Sequence, residues 1–269
     1  MKLRSVPAAT GLQWVRLGMR TFLRQPLAMS GLFFLFMVAI SLLALLPFVG
    51  TALSALLTPA ANLGLMAASK EASEGRFPMP STLVTAFRAG PEKTRGMLVL
   101  GGLYGLALLL VLGLATLLDT SAPVAADAAE MTAEAMVQAT LASPALWVAM
   151  VVMVPLQMLF WHAPALLHWH GVPPVKSLFF SAMACWANKG ALLVFMLGWM
   201  GVFMLLGLVI SVVGALLGGA QVLTIILYPA VLFMASMFFT SIYFTFRDSF
   251  HTATDPDSTP PPTDEGAPS

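Results

Sequence analysis

The chain has 269 residues, of which 59% are hydrophobic and only 9% are charged, and its formal net charge is +1. An ordinary soluble domain carries roughly 25% charged residues, because a solvated surface requires them. So low a charge content excludes a soluble globular protein and predicts a chain embedded in lipid. The small net charge also argues against a nucleic-acid partner, since no basic face is available to release counterions from phosphate.

Six apolar segments are long enough to cross a bilayer, because about 20 apolar residues in a helix span roughly 30 Å of hydrocarbon. The first charge-free run is long enough for two spans with a turn at Pro47–Gly50, and the fourth span is predicted to be interrupted at Pro155 and Pro164. The last two spans are joined by Gly218 and Gly219. The predicted spans are two within 27–69, then 96–118, 144–169, 190–217 and 220–246.

All 13 Lys and Arg residues fall on one side of the membrane when six spans are drawn. The opposite side carries the acidic residues of segment 119–143 and no base. This asymmetry follows the positive-inside rule, so both termini are predicted to be cytoplasmic.

Each basic segment contains a short amphipathic stretch just before a helical hairpin, which predicts three units of one interfacial helix and one hairpin. These helices could bind the membrane surface or form a ring on the cytoplasmic side. Alternatively, they only connect successive spans, and their basic side chains extend to the head groups. The apolar positions are Leu12, Val15, Met19, Phe22 and Leu23 in the first, Leu83, Val84 and Phe87 in the second, and Phe179, Ala182, Met183 and Trp186 in the third.

Two segments outside the spans have their own composition. Residues 125–141 are rich in alanine and predict a short helix on the side opposite the basic residues. Residues 252–269 are rich in Pro, Thr and Asp and predict a disordered cytoplasmic tail. The predicted organisation is therefore one six-span membrane domain, residues 1–251, and a tail, residues 252–269.

Three histidines lie within nine positions of the stretch FWHAPALLHWHGVPP, at 162, 168 and 170. Metal ligands on one helix prefer i, i+4 spacing, which is absent, and no carboxylate lies near in sequence to complete a coordination shell. No P-loop, no G-x-S-x-G motif and no paired catalytic groups are present. The sequence therefore predicts no metal, no cofactor and no enzymatic activity.

Three polar residues lie inside the predicted spans, namely Asn62 in span two and Gln157 and His162 in span four. Polar groups within a bilayer are costly and usually face the interior of the bundle. They could line a polar cavity for a substrate, or they could form interhelical hydrogen bonds that stabilise the bundle by about 0.6 kcal/mol each.

Six short motifs run along residues 10–250: Trp14–Pro26, Ala61–Gly64, Phe160–Leu166, Gly171–Pro174, Ala184–Asn188 and Tyr243–Asp248. In these motifs the chain resembles an uncharacterised bacterial family of six-span inner-membrane proteins. More distantly, it is similar to the membrane domain attached to some glycerophosphodiesterases. The resemblance implies an all-α, multi-pass protein of the bacterial inner membrane, and it brings no activity. His162 stands where related proteins tend to carry an apolar or aromatic residue.

The leading hypothesis is a non-enzymatic membrane protein that binds or organises lipid, other membrane proteins or further copies of itself. The alternative is a small uncoupled transporter or channel with a polar site between spans two and four. The expected interface anchors are Arg16, Arg20, Arg24, Arg247 and Asp248.

Overall fold

The computed structural model describes residues 2–47, 49–118, 132–217 and 220–251. The Gly218–Gly219 turn, the tail 252–269 and most of segment 119–143 lie outside these ranges, so the predictions made for them stay predictions. A short helix does occupy Ala133–Ala142, at the end of the alanine-rich stretch.

The structure is a helical bundle, as the composition predicts. Within the described ranges, six helical segments are long and apolar enough to cross a membrane, which confirms the six-span, all-α fold class. Two two-residue strands, β1 (Lys2–Leu3) and β2 (Phe250–His251), pair antiparallel. The helices are α1 (Thr10–Arg24), α2 (Pro26–Ala44), α3 (Gly50–Ser73), α4 (Pro91–Leu118), α5 (Ala133–Ala142), α6 (Pro144–Phe160), α7 (Ala163–His170), α8 (Pro174–Ala187), α9 (Lys189–Leu217) and α10 (Ala220–Ser249), with a 3₁₀ helix at Pro80–Phe87.

Proline decides where several helices begin. It stands at the start of α2, α4, α6 and α8, where its missing N–H group needs no helical partner. The fourth span is interrupted just before Pro164, as predicted. The interruption predicted at Pro155 is wrong: Pro155 stays inside α6, because loss of one helical hydrogen bond is tolerated in a packed membrane helix.

Helix α1 packs by one face across the neighbouring ends of α9 and α10. A Cβ on Gly11 would overlap the backbone of Ala191, and a Cβ on Gly18 would overlap Ser241, so the backbones touch there. Trp14 is fully buried in this contact. The first amphipathic stretch therefore packs against the bundle as a short helix that leads into the first span.

In the short helices, the apolar face predicted from the sequence is not the face that is buried in the structure. In α1, Val15 and Phe22 are buried, but Leu12 and Leu23 are exposed. In α8, Ser177, Ser181, Ala184 and Cys185 are buried, whereas Phe179, Met183 and Trp186 of the predicted face point outward. Lipid is as good a solvent as a protein core for large apolar side chains, so small residues take the close contacts between helices.

The second amphipathic stretch forms a 3₁₀ helix, and Val84 departs from helical geometry within it. It packs on α3, where Gly64 lies against the backbone of Leu83. The three-unit arrangement is therefore present with one irregular member.

The segments that carry the basic residues meet at one end of the bundle. The Lys93 ammonium donates to the carbonyl oxygen of His168 at 2.8 Å, and the Asn188 amide donates to the carbonyl oxygen of Arg4 at 3.0 Å. The pairing of Lys2 with His251 brings the first strand to the end of α10. We call this end of the bundle the cationic end.

Candidate functional site

Most basic side chains of the cationic end carry no ion partner. In the part of the chain that the structure describes, the ion pairs are Arg76–Glu74 and Arg247–Asp248. Among the exposed cations whose side chains make no hydrogen bond or ion pair within that part, we call five the cationic rim: Arg16, Arg20, Arg88, Arg95 and Lys176. The predicted anchor Arg24 is also exposed and bonds weakly to the carbonyl of Ser73, at 3.4 Å.

Arg247 and Asp248, the other predicted anchors, pair with each other at 2.7 Å. The Arg247 guanidinium also lies 4.9 Å from the ring centre of Phe244. Asp248 accepts a hydrogen bond of 2.9 Å from the indole nitrogen of the buried Trp14. Asp248 therefore joins α1 to the end of α10, and Arg247 balances its charge.

Large apolar side chains surround the cationic rim. Leu23 is 64% exposed on α1, and Phe179 and Trp186 are 60% and 63% exposed on α8. The Lys189 ammonium lies 4.6 Å from the ring centre of Trp186. Exposed apolar groups interleaved with cations are typical of helices that lie in the interface of a bilayer.

A cavity of about 220 Å³ lies deeper in the bundle, between α2, α3, α4, α6 and α10. Of the three polar residues expected to share such a cavity, Asn62 and Gln157 line it, whereas His162 does not. Half of its lining residues are aromatic, and none of them carries a formal charge. They are Phe36, Thr58, Pro59, Asn62, Met66, Tyr104, Gln157, Phe160, Trp161, Phe238, Phe239 and Ile242.

The two side-chain amides in the cavity have no hydrogen-bond partner among the residues that the structure describes. Thr58, by contrast, donates to the carbonyl of Ser54 at 2.8 Å. A carboxamide offers two donors and one acceptor, and a polar group left unpaired in an apolar environment is costly. The cavity therefore presents hydrogen-bonding capacity that the described helices leave unused.

His162 lies at the break between α6 and α7, is only 1% exposed and makes contacts of its own. Its backbone N–H donates to the hydroxyl of Ser181 at 2.9 Å. Its Nε2 lies 3.1 Å from the hydroxyl of Thr245, which already donates to the carbonyl of Ile242 at 2.7 Å. Nε2 must therefore be the donor, and the imidazole fastens the broken span to α10.

The remaining ring nitrogen of His162 lies 3.9 Å from the sulfur of Cys185. A cysteine beside a histidine can be a nucleophile when its thiolate is stabilised and accessible. Here the thiol is 1% exposed, and burial raises the pKa of Cys185 to about 12. The thiol stays protonated at neutral pH. The His162–Cys185 pair is therefore a packing contact between the start of α7 and α8.

The other two histidines lie at the cationic end. The carbonyl of His168 accepts from Lys93, and the ring of His170 lies 5.8 Å from that of Phe246. Across the described positions, no group of three or more His, Cys, Asp or Glu could hold a metal ion.

Sequence reasoning did not single out Tyr104, Trp161, Thr245 and Asn188. Trp161 donates from its indole nitrogen to Thr245 at 3.0 Å and forms part of the inner wall of the cavity. Asn188 is 1% exposed and ties the N-terminal segment to α10. The sequence shows that Asn188 is an amide at the start of a span and needs hydrogen-bond partners. It does not show which partners, because they are about 60 and 180 residues away.

The six spans, the cationic end and the polar cavity define a multi-pass helical membrane protein. Over 255 residues, the chain is 36% identical to a probable inner membrane protein of Burkholderia thailandensis, and the match covers 93% of this chain and 94% of that protein. The chain belongs to the family of that inner membrane protein, whose name gives no activity. No family model and no solved structure matches the chain. The more distant resemblance to the membrane domain of glycerophosphodiesterases stays a prediction.

Proposed function

We propose that this protein is a non-enzymatic membrane protein that binds anionic lipid at its cationic end. The observation that carries the proposal is the cationic rim, whose exposed side chains lack ion partners within the described residues. Cations that only kept the helix ends in water could pair with local carboxylates, as Arg76 does with Glu74.

The inner leaflet is the natural partner of such a rim. Anionic head groups attract Lys and Arg near the membrane surface by about 1 kcal/mol per residue. The exposure of Leu12 and Leu23 supports a position of the Arg16, Arg20 and Arg24 side of α1 at head-group level. We accordingly assign the cationic end, with both termini, to the cytoplasmic face.

Replacing Arg16, Arg20 and Arg24 together with glutamine is expected to lower the preference for anionic lipid by about a hundredfold, because three near-surface charges worth about 1 kcal/mol each are lost. The preference is measured in vesicles as quenching of tryptophan fluorescence by brominated phosphatidylglycerol, relative to brominated phosphatidylcholine. High salt should shrink the wild-type preference, since exposed charges are screened.

Two controls accompany this experiment. The Arg16→Lys, Arg20→Lys and Arg24→Lys variant keeps all charges and should keep the preference. Arg76→Gln removes a cation that Glu74 already neutralises and should change little. A glutamine variant with the full wild-type preference would overturn the proposal and leave other membrane proteins, or a second copy of this chain, as the partners of the rim.

The cavity favours a second candidate, a small uncoupled transporter for a neutral solute. Its polar groups lie between α3 and α6, which are spans two and four. In proteoliposomes, glycerol entry followed by light scattering should exceed entry into protein-free vesicles, and Asn62→Leu with Gln157→Met should remove most of the excess. Equal rates with and without the protein would exclude this candidate for glycerol-sized solutes.

A further inference from the structure

We infer that the cavity at Asn62 and Gln157 binds the uncharged head of a neutral lipid, whose hydrocarbon chain lies in the groove between α3 and α4. The head would carry hydroxyl or ester groups, as in monoacylglycerols. This inference involves none of the rim residues and does not depend on the binding of anionic lipid at the cationic end.

The chemistry of the cavity lining selects an uncharged head. Asn62, Gln157 and the Tyr104 hydroxyl offer donors and acceptors that no described residue occupies. Hydroxyl and ester oxygens match these groups. A phosphate or carboxylate would lose its hydration without meeting a counter-charge, because the lining residues carry no formal charge.

Proline frees backbone acceptors in two helices that line the cavity. Pro59 has no N–H to donate to the carbonyl of Ala55, and Pro155 has none for the carbonyl of Val151. Such freed carbonyls suit the hydroxyl protons of a glycerol-type head.

An apolar groove of about 840 Å³ lies between α3 and α4, on helices that also line the polar cavity. Its members lie about one helical turn from cavity residues: Met153 precedes Gln157 by four positions, and Ala55 precedes Thr58 by three. Gly102 opens the wall of the groove, since a Cβ there would meet no atom within 4 Å. The surrounding solvent of this face is lipid, so a hydrocarbon chain is the expected occupant.

Buried contacts lie on the side of the cavity that faces the cationic end. Trp161, which lines the cavity, donates to Thr245, and His162 contacts the same hydroxyl. These contacts favour entry of a molecule from the bilayer rather than from the cationic end.

Photolabelling of the purified full-length chain in nanodiscs tests the inference. The probe is a monoacylglycerol with a diazirine on its acyl chain, and the labelled peptides are mapped by mass spectrometry. We expect labels within 49–56 and 101–112, which monooleoylglycerol displaces and phosphatidylglycerol does not. Labels elsewhere only, or displacement by both lipids alike, would overturn the inference.

Variants separate the head site from the chain site. Asn62→Leu with Gln157→Met keeps side-chain size and should weaken labelling about tenfold or more, because two hydrogen-bonding groups are lost. Gly102→Leu should block the groove and lower labelling without a clash. Gln138→Met removes an exposed amide on α5 and should label as the wild type does.

Unchanged labelling of the Asn62→Leu, Gln157→Met variant would overturn the assignment of the head. The same variant should retain the wild-type preference for brominated phosphatidylglycerol, because the cationic rim is untouched. Failure of this inference is thereby distinguishable from failure of the proposed function.

Discussion

Gly101→Val is expected to be among the most destabilising single changes in the spans, costing about 3 kcal/mol or more. A Cβ at this position would overlap the carbonyl oxygen of Leu56, which is backbone and cannot turn aside. Helix α4 would have to move away from α3 along their contact. Thermal unfolding in detergent, followed by loss of the monodisperse peak in size-exclusion chromatography, measures the effect.

The neighbouring glycine provides a matched control. A Cβ on Gly102 meets no atom within 4 Å, so Gly102→Val should unfold close to the wild-type temperature. The two variants share residue type, helix and depth, and they differ only in the face of α4 that is changed. Equal unfolding temperatures for both would contradict the close α3–α4 contact.

Asn188→Ala is expected to destabilise the cationic end by about 2–5 kcal/mol, since each buried group left unpaired costs about 1–3 kcal/mol. The Asn188 side chain accepts from the N–H of Val6 at 2.8 Å and donates to the carbonyl of Arg4 at 3.0 Å and to the hydroxyl of Ser249 at 3.2 Å. Without it, the N-terminal segment keeps its β1–β2 pairing and the backbone bond from Arg4 to Ser249, but it should separate from α10 more often. Proteolysis of that segment in proteoliposomes or detergent should then be faster.

Asn62→Ala is the matched control for this change. The residue type and substitution are the same, but the Asn62 amide bonds to no described residue, so its loss leaves no protein group unpaired. Its unfolding temperature should stay near that of the wild type. If Asn62→Ala destabilised the protein as much as Asn188→Ala, the Asn62 amide would be a structural group and the cavity would lose its main polar residue.

The number and positions of the spans could be predicted from the sequence. Insertion into lipid depends on how many consecutive apolar residues a helix presents, and this quantity is local. The turn at Pro47–Gly50, the break before Pro164 and the bounds of α9 follow from the same local signals. Pro155 was predicted wrongly as a break, because a proline interrupts a membrane helix only where neighbouring groups fail to compensate.

The faces of the short helices could not be predicted in the same way. The periodicity of the sequence locates the apolar side of α8. It does not show whether that side contacts protein or lipid, because both accept an apolar side chain. Contact with α6 turned Ser181 and Cys185 inward and left Phe179 and Trp186 exposed. Small residues therefore indicate the buried face of a membrane helix better than large apolar residues do.

The sequence by itself determined the solvent of this protein, its six crossings and the single side that holds its basic residues, because each depends on composition along a short stretch of chain. Only the tertiary structure decided that Asn62 and Gln157 share one cavity while His162 is enclosed with Thr245 and Cys185. Which polar side chains meet depends on how helices far apart in sequence rotate and approach, and the hydropathy of a helix does not specify its rotation.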